Sequence, residues 1–511
     1  MQQLTSLDAM FLALETDRNY GHVGSLAILD PSTTPEGKVT LDDVKQLLDE
    51  RLHLIPPFTS RLAKVPFNLD WPYWVPDDHF DLGYHVRELA LPEPGSIEQL
   101  AEQTARIYSR RLDRSRPLWE LYLIHGLPEG RVALVTKIHH SAVDGMSGSE
   151  ILTLLYDLTP EPRAVEPPSA SGPATGAPPG GTLVLQGLAA LPRWPLTAAT
   201  RLGRLLPHVD VVPSLLGAPG SETISRTFSR ARKTLGRQAD AKVITRPRNR
   251  PPVGPYGGRV SPHRIFGLGS VSLDDVKRVK NALGVKVNDV IVSITAGAIR
   301  EHLERHGELP DEPLVAQIPV SVRTEEERGT FGNQVSIMAV QIPTHLADPV
   351  ERVRFAADVL SGAKERHNAL PAKALRDVST FVPPAVHARA ARVAAELTAR
   401  QIARPLFNVV ISNVPGPAMD IYTAGARLEA LFPLSVIADG TGLNVTIMSY
   451  RDSVDIGITA DREQTPDVQT IVDGMRADLD ALVAATAPKA KPRPKPRTRP
   501  KRPAAKAPRG G

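Results

Sequence analysis

The sequence predicts an α/β (α+β) protein of two bodies, each a mixed sheet with flanking helices. Three observations lead there. Amphipathic helical patterns and short β-like runs intermingle over residues 1–158, and again over 259–486. Two Pro- and Gly-rich stretches lie between those regions. A length of 511 residues exceeds what one ordinary domain of roughly 100–200 residues holds.

In the first body, Thr40-Leu41-Asp42-Asp43 resembles a capping box with Asp in place of Glu, and Val44, Leu47, Leu48 and Leu52 fall on one helical face. Ser96-Ile97-Glu98-Gln99 opens a second helix whose inward face carries Ile97, Leu100, Thr104 and Ile107. The runs Leu118–Ile124 and Val132–Ile138, joined through Gly126, Pro128 and Gly130, read as a β-hairpin. In the second body, Ser272 caps a helix bearing Val276, Val279 and Leu283, and Gly284 suits its C-terminal exit. Asn288 reads as the N-cap of a helix over Asp289–Leu303, and Asp348-Pro349 starts another. Strands are expected at Leu314–Val322, Val335–Ile342, Phe407–Ser412, Leu443–Ser449 and Val454–Thr459.

Residues 159–258 form the connection between the bodies. Thr159–Gly181 and Thr245–Gly258 are too rich in Pro and Gly to bury a core. The Leu-rich segment 182–217 is broken by Pro192, Pro195, Pro207 and Pro213. It reads as a crossover packed on both bodies or as amphipathic pieces meeting a lipid surface. Residues 487–511 are a Pro-interrupted basic tail, expected to be disordered.

Composition excludes several function classes. With no Cys there is no disulfide, thiolate zinc site or cysteine nucleophile. The net charge of +5 includes ten Lys and Arg of the acid-free tail, so residues 1–486 carry −5. That balance argues against a nucleic-acid binder. The N-terminus has no basic leader and carries Asp8, Glu15 and Asp17, and no apolar run reaches the ~18 residues of a spanning helix. The expected location is cytoplasmic, with any membrane contact made from the surface. There is no GxxxxGK[ST] loop, no GxGxxG after a strand and no G-x-S-x-G elbow.

The sharpest feature is His139-His140-Ser141-Ala142-Val143-Asp144-Gly145, directly after the β-run Val132–Ile138. Adjacent side chains at a strand end point to opposite sides, so the two His are poorly placed to share a metal ion, and no HExxH occurs. One imidazole can take a proton from a hydroxyl while the other braces the loop. The plain alternative is that both His cap the strand. Asp144 can orient a ring or pair with an Arg and hold the turn; Gly145 permits a tight or left-handed backbone.

HHxxxDG is the signature of acyltransferases with the chloramphenicol-acetyltransferase-like fold. Its companions here are Leu7-Asp8-Ala9-Met10-Phe11, His22-Val23-Gly24, Pro117-Leu118-Trp119, Asn288-Asp289, Pro319–Arg323, Gly332-Asn333-Gln334 and Ser412–Pro417. Together they resemble the bacterial wax ester synthase/diacylglycerol acyltransferase family over nearly all of 1–486. The resemblance implies two chloramphenicol-acetyltransferase-like subdomains with the active site in a tunnel at their interface. It implies His140 as general base, His139 as its support and Asp144 as a loop brace. Gly145, Asn288 and Asp289 become substrate-binding candidates, although Asn288 and Asp289 read equally well as a helix N-cap and a first-turn acid. Trp119 reads as core.

The implied reaction moves a long-chain acyl group from acyl-CoA to diacylglycerol, or to a long-chain alcohol to give a wax ester. Acyl-CoA is a co-substrate, and no metal or resident cofactor is needed. The lipid acceptor implies a peripheral position on the inner face of the membrane or on lipid droplets. Two alternatives stand beside this one: a carrier-protein-dependent acyltransferase or condensation enzyme, and a non-catalytic lipid-surface protein. The sequence carries no signal of oligomeric state.

Overall fold

The computed structural model describes residues 1–66, 69–143, 152, 154–167, 181–182, 251–321, 335–368, 393, 396–397, 400 and 406–487. In chain order the first part contains β1 (Gln2–Gln3), α1 (Ser6–Leu14), β2 (His22–Asp30), α2 (Leu41–Arg51), β3 (Ser60–Ala63), β4 (Tyr73–Pro76), α3 (Leu82–His85), β5 (Val86–Ala90), α4 (Ile97–Tyr108), β6 (Trp119–His125), β7 (Val132–His139) and α5 (His140–Val143). The second contains β8 (Arg264–Ser272), α6 (Leu273–Leu283), α7 (Val287–His306), β9 (Val315–Ser321), β10 (Val335–Gln341), α8 (Pro349–Asn368), β11 (Val409–Pro415), β12 (Tyr422–Thr423), β13 (Ala426–Leu434), β14 (Leu443–Tyr450), β15 (Ser453–Asp461) and α9 (Gln469–Thr486).

Two six-stranded sheets result, in the orders β12-β13-β2-β7-β6-β5 and β10-β9-β11-β14-β15-β8, with a small sheet β1-β4-β3 beside them. Both large sheets are mixed, as expected. β5 runs parallel to β6 in the first, and β11 runs parallel to β9 and β14 in the second. β12 and β13 come from the second part of the chain yet extend the first sheet through β2. Sheet membership therefore crosses the boundary drawn at residue 259. Leu431 of β13 donates its amide back to Asp455 Oδ2 of β15 at 2.8 Å, tying the two sheets together.

The capping chemistry sets the helix starts. Thr40 and Asp43 cap α2 reciprocally, and Ser96 and Gln99 do the same for α4. α4 departs from expectation at one point. Ile97 stays exposed, because the first helical turn precedes the contact that buries Leu100, Thr104 and Ile107. Buried Thr104 satisfies its hydroxyl by donating to the Leu100 carbonyl at 2.8 Å. α7 begins one residue before Asn288, with Lys286 at the cap position, and runs to His306 rather than Leu303. The Lys286 amide donates to Asp289 Oδ2 at 2.8 Å, so Asp289 is the residue that closes this helix start.

The largest core lies between the second sheet and α6–α9. Val290, Ile291, Val292, Ile294, Ala296, Ala298 and Ile299 of α7 are all buried in it. A helix apolar on every side must be covered on every side. No single helix among the described residues is long and apolar enough to cross a membrane; α6 and α7 pass that test only as a pair, bent by 106°.

Candidate active site

β7 is a central strand of the first sheet and all eight of its residues are buried. It runs one residue further than the apolar pattern indicates and includes His139, which pairs in register with His22 of β2. The His139 amide donates to the Leu118 carbonyl at 2.9 Å, and the His140 amide to the Gly21 carbonyl at 2.7 Å. Backbone bonds to the segments entering β6 and β2 thus fix where both His leave the sheet.

His139 turns inward. Its Nδ1 lies 2.6 Å from the Ser141 hydroxyl oxygen and 3.1 Å from the Ser141 amide nitrogen. Both groups can donate to Nδ1, which places the ring proton on Nε2. Nε2 sits 3.9 Å from Glu15 Oε1, and His22 Nε2 lies at that same distance from the same oxygen. These are electrostatic contacts rather than hydrogen bonds. The Glu15 side chain is buried and accepts from Arg114 Nε at 2.9 Å. Burial pushes His139 down to about 3 and His22 well below the usual imidazole range, so both rings are neutral at neutral pH. The close approach of His139 requires a glycine at position 21, where a Cβ would lie 2.6 Å from His139 Nε2.

His140 turns toward α1. Its ring stacks on Phe11, with centroids 3.9 Å apart and planes 15° from parallel. Asp8 precedes Phe11 by about one helical turn and is also buried. Its Oδ2 accepts from the Thr5 hydroxyl at 2.7 Å and the Thr5 amide at 3.2 Å, capping α1. Its Oδ1 is buried with no hydrogen-bond partner among the described residues. Burial pushes His140 down to about 4; its own backbone and the Asp8 charge act the other way without offsetting it. The arrangement presents a neutral imidazole, clamped by stacking, that can accept a proton at neutral pH.

Of the other predicted site residues, Asp144 and Gly145 lie outside the described residues. Asn288 accepts at Oδ1 from Asn413 Nδ2 at 3.3 Å, joining the start of α7 to β11 in the second sheet. Asp289 is taken up by its helix cap. Trp119 is core: its indole N–H donates to the Phe58 carbonyl at 2.8 Å and its ring stacks on His85. The residues not singled out from sequence are Asp8, Phe11, Glu15, Gly21, His22 and Ser141. Four of them stand in or beside the segments 7–11 and 22–24, whose match to the family was itself the available signal.

A family model for the wax ester synthase/diacylglycerol acyltransferase catalytic domain matches residues 4–291, and one for the WS/DGAT C-terminal domain matches 331–483. The chain belongs to the wax ester synthase/diacylglycerol acyltransferase family. It is 34% identical to a putative diacylglycerol O-acyltransferase of Mycobacterium tuberculosis, covering 94% of this chain and 90% of the relative. A second from that organism is also 34% identical, over 95% of this chain and 98% of the relative. The wax ester synthase/diacylglycerol acyltransferase from Marinobacter aquaeolei VT8 is similar in structure, with a TM-score of 0.66 at 28% identity, covering 95% of this chain and 100% of that one. The first condensation domain of the calcium-dependent antibiotic synthetase shares the fold at a TM-score of 0.55 and 14% identity. This WS/DGAT family member is accordingly an acyltransferase of the two-domain chloramphenicol-acetyltransferase-like fold.

Proposed function

We propose that the protein transfers a long-chain acyl group from acyl-CoA to diacylglycerol, and to long-chain alcohols where these are offered, with His140 as general base. The observation that carries this reading is the His140 imidazole at the end of β7, stacked on Phe11 and neutral at neutral pH. The neutral His140 imidazole removes the acceptor hydroxyl proton as the oxygen attacks the thioester carbonyl. The tetrahedral oxyanion collapses and the C–S bond breaks. The imidazolium returns its proton to the departing thiolate, so the enzyme ends as it began. His139, held by Ser141, braces the turn that aims His140. The HHxxxDG resemblance gives Asp144 a bracing role and Gly145 a substrate-binding one, and in this reading Asn288 and Asp289 border the acceptor channel. The chemistry needs no resident cofactor.

A carrier-protein donor draws support only from the fold shared with a condensation domain at 14% identity. The acceptor is a lipid, so we place the protein at the cytoplasmic face of a membrane or on lipid droplets, as a peripheral protein. The test is CoA release from palmitoyl-CoA with diacylglycerol and hexadecanol offered in parallel. The wild type and His140→Ala are run side by side, with circular dichroism reporting folding. Acceptor-dependent release that disappears in a folded His140→Ala is expected. Its absence from a folded wild type, or its survival in the variant, overturns the reading.

A further inference from the structure

The far end of α7 carries a second group of side chains. His302 and His306 stand one helical turn apart on one face, with ring centroids 4.5 Å apart. Asp467, two residues ahead of α9, faces both. Its Oδ2 is 3.5 Å from His306 Nε2 and 3.9 Å from His302 Nδ1. One ligand atom from each residue lies within 4.8 Å of the other two. At a rise of about 1.5 Å per residue, this cluster is about 20 Å along the helix from Asn288.

The hydrogen bonds constrain what sits between these atoms. His306 Nδ1 donates to the His302 carbonyl at 2.7 Å. A neutral His306 therefore turns the Nε2 lone pair toward a carboxylate oxygen, which is repulsive unless a cation lies between. The same Nδ1–H···O=C bond orients ligating His rings in metal sites. Asp467 keeps its other oxygen, Oδ1, buried with no hydrogen-bond partner among the described residues, so the carboxylate is not saturated by the protein. His302 is buried while His306 is 42% exposed, so one side is fixed and the other is open to an ion with its water. His302 Nδ1 now lies 3.1 Å from the Thr470 hydroxyl oxygen, whose proton goes to the Asp467 carbonyl at 2.8 Å. Binding a cation gives up that single contact and moves the His302 ring proton from Nδ1 to Nε2.

We propose that His302, His306 and Asp467 form a binding site for a divalent transition-metal ion, of which Zn²⁺ is the best fit, clamping α7 to the start of α9. Two imidazole nitrogens and one carboxylate oxygen, with water as a fourth ligand, suit tetrahedral Zn²⁺ and disfavour the all-oxygen ions Mg²⁺ and Ca²⁺. Bond lengths of about 2.0–2.2 Å would draw the three donor atoms slightly closer than they now stand. The ion is structural and separate from acyl transfer.

The test uses the tag-free full chain, stripped with EDTA and titrated with Zn²⁺ by calorimetry and with Co²⁺ by visible absorption. One equivalent is expected to bind tightly, with intense absorption bands of tetrahedral Co²⁺ and a rise in melting temperature on adding Zn²⁺. His306→Ala and Asp467→Asn should each weaken that equivalent tenfold or more and abolish the thermal shift, with circular dichroism unchanged. Lowering the pH to 5.5 should weaken it as well, because protons compete for the imidazoles. Absence of binding by the folded wild type, or binding undiminished in both variants, overturns the proposal. A wild type that gains thermal stability from protonation alone and none from Zn²⁺ overturns it too, because a proton then bridges His306 and Asp467.

Discussion

The environment of His140 predicts an unusual pH profile. Burial holds its pKa at about 4 against an ordinary value of 6.5. The difference corresponds to about 3 kcal/mol of disfavour for the imidazolium in the resting site. A base at 6.5 is only about 9% neutral at pH 5.5 and would lose about tenfold in kcat/KM between pH 8 and pH 5.5. A base near 4 is still about 97% neutral at pH 5.5, and kcat/KM should be flat over that range. The assay is initial-rate CoA release across pH 5.5–8. CoA carries a phosphate that titrates near pH 6, so an acyl-pantetheine donor without phosphates is run in parallel. Folding needs its own control. His139 and His140 have folded-state values near 3 and 4, below the unfolded imidazole value, so the unfolded chain binds more protons as pH falls. Stability contributed by these rings is whole above pH 6.5 and drains away as pH drops toward 4 and 3. Each sample is therefore returned to pH 7.5 and reassayed. A reversible loss with a midpoint near 6.5 and both donors would refute the buried-base reasoning.

Three substitutions probe the rest of the site. Gly21→Ala places a Cβ 2.6 Å from His139 Nε2, and because Ser141 holds that ring we expect activity to fall tenfold or more in a folded protein, at about 1–3 kcal/mol of overpacking; wild-type kcat from this variant would show that the ring moves freely. Asp8→Asn keeps the shape and the helix cap but removes the charge that favours protonated His140, so kcat should drop about tenfold, or about 1.4 kcal/mol, with KM for acyl-CoA unchanged; a change confined to KM would sink the idea. Asp157→Asn removes the charge that compensates fully buried Arg51, whose Nη2 donates to Asp157 Oδ2 at 2.7 Å, and should cost about 3–5 kcal/mol in urea unfolding. Arg51→Met combined with Asp157→Leu should recover much of that loss, whereas a single-variant cost within experimental error would mean the pair is neutral.

Local chemistry was legible in the sequence, and long-range pairing was not. The capping boxes at Thr40 and Ser96, the glycine exit after α6 and the β6–β7 hairpin follow from contacts within a few residues, and the structure has them where expected. β2 and β13 escaped because their apolar residues do not alternate cleanly; both lie inside the first sheet and are covered unevenly. The addition of β13 to β2 joins residues about 400 apart, and no local pattern records such a pairing. The same division holds at the site. Two adjacent His at a strand end announce themselves. Asp8, Phe11 and Glu15 gain meaning only once α1 lies against α5.

The assembly explains why the first two dozen residues and the HHxxxDG segment belong to one device. β2 pairs with β7 so that His22 stands opposite His139, and that register carries α1 to α5. α1 and the residue that follows it then bring three unlike groups: Phe11 to clamp the His140 ring, Asp8 beside it, and Glu15 near His139 and His22. A base near 4 is a weak acceptor for an alcohol proton unless its charged form gains support as the proton moves. In the proposed reaction two negative charges can give it: the growing oxyanion and the Asp8 carboxylate. Asp8 Oδ1, buried without a partner among the described residues, is a cost to the resting enzyme. That cost diminishes as His140 becomes charged, so it raises the ground state more than the transition state. Interactions that strengthen only on the way to the transition state are the ones that accelerate the chemical step. On this reasoning α1 tunes His140 through charge as well as holding it in place, and the unpaired carboxylate oxygen is where the two roles separate.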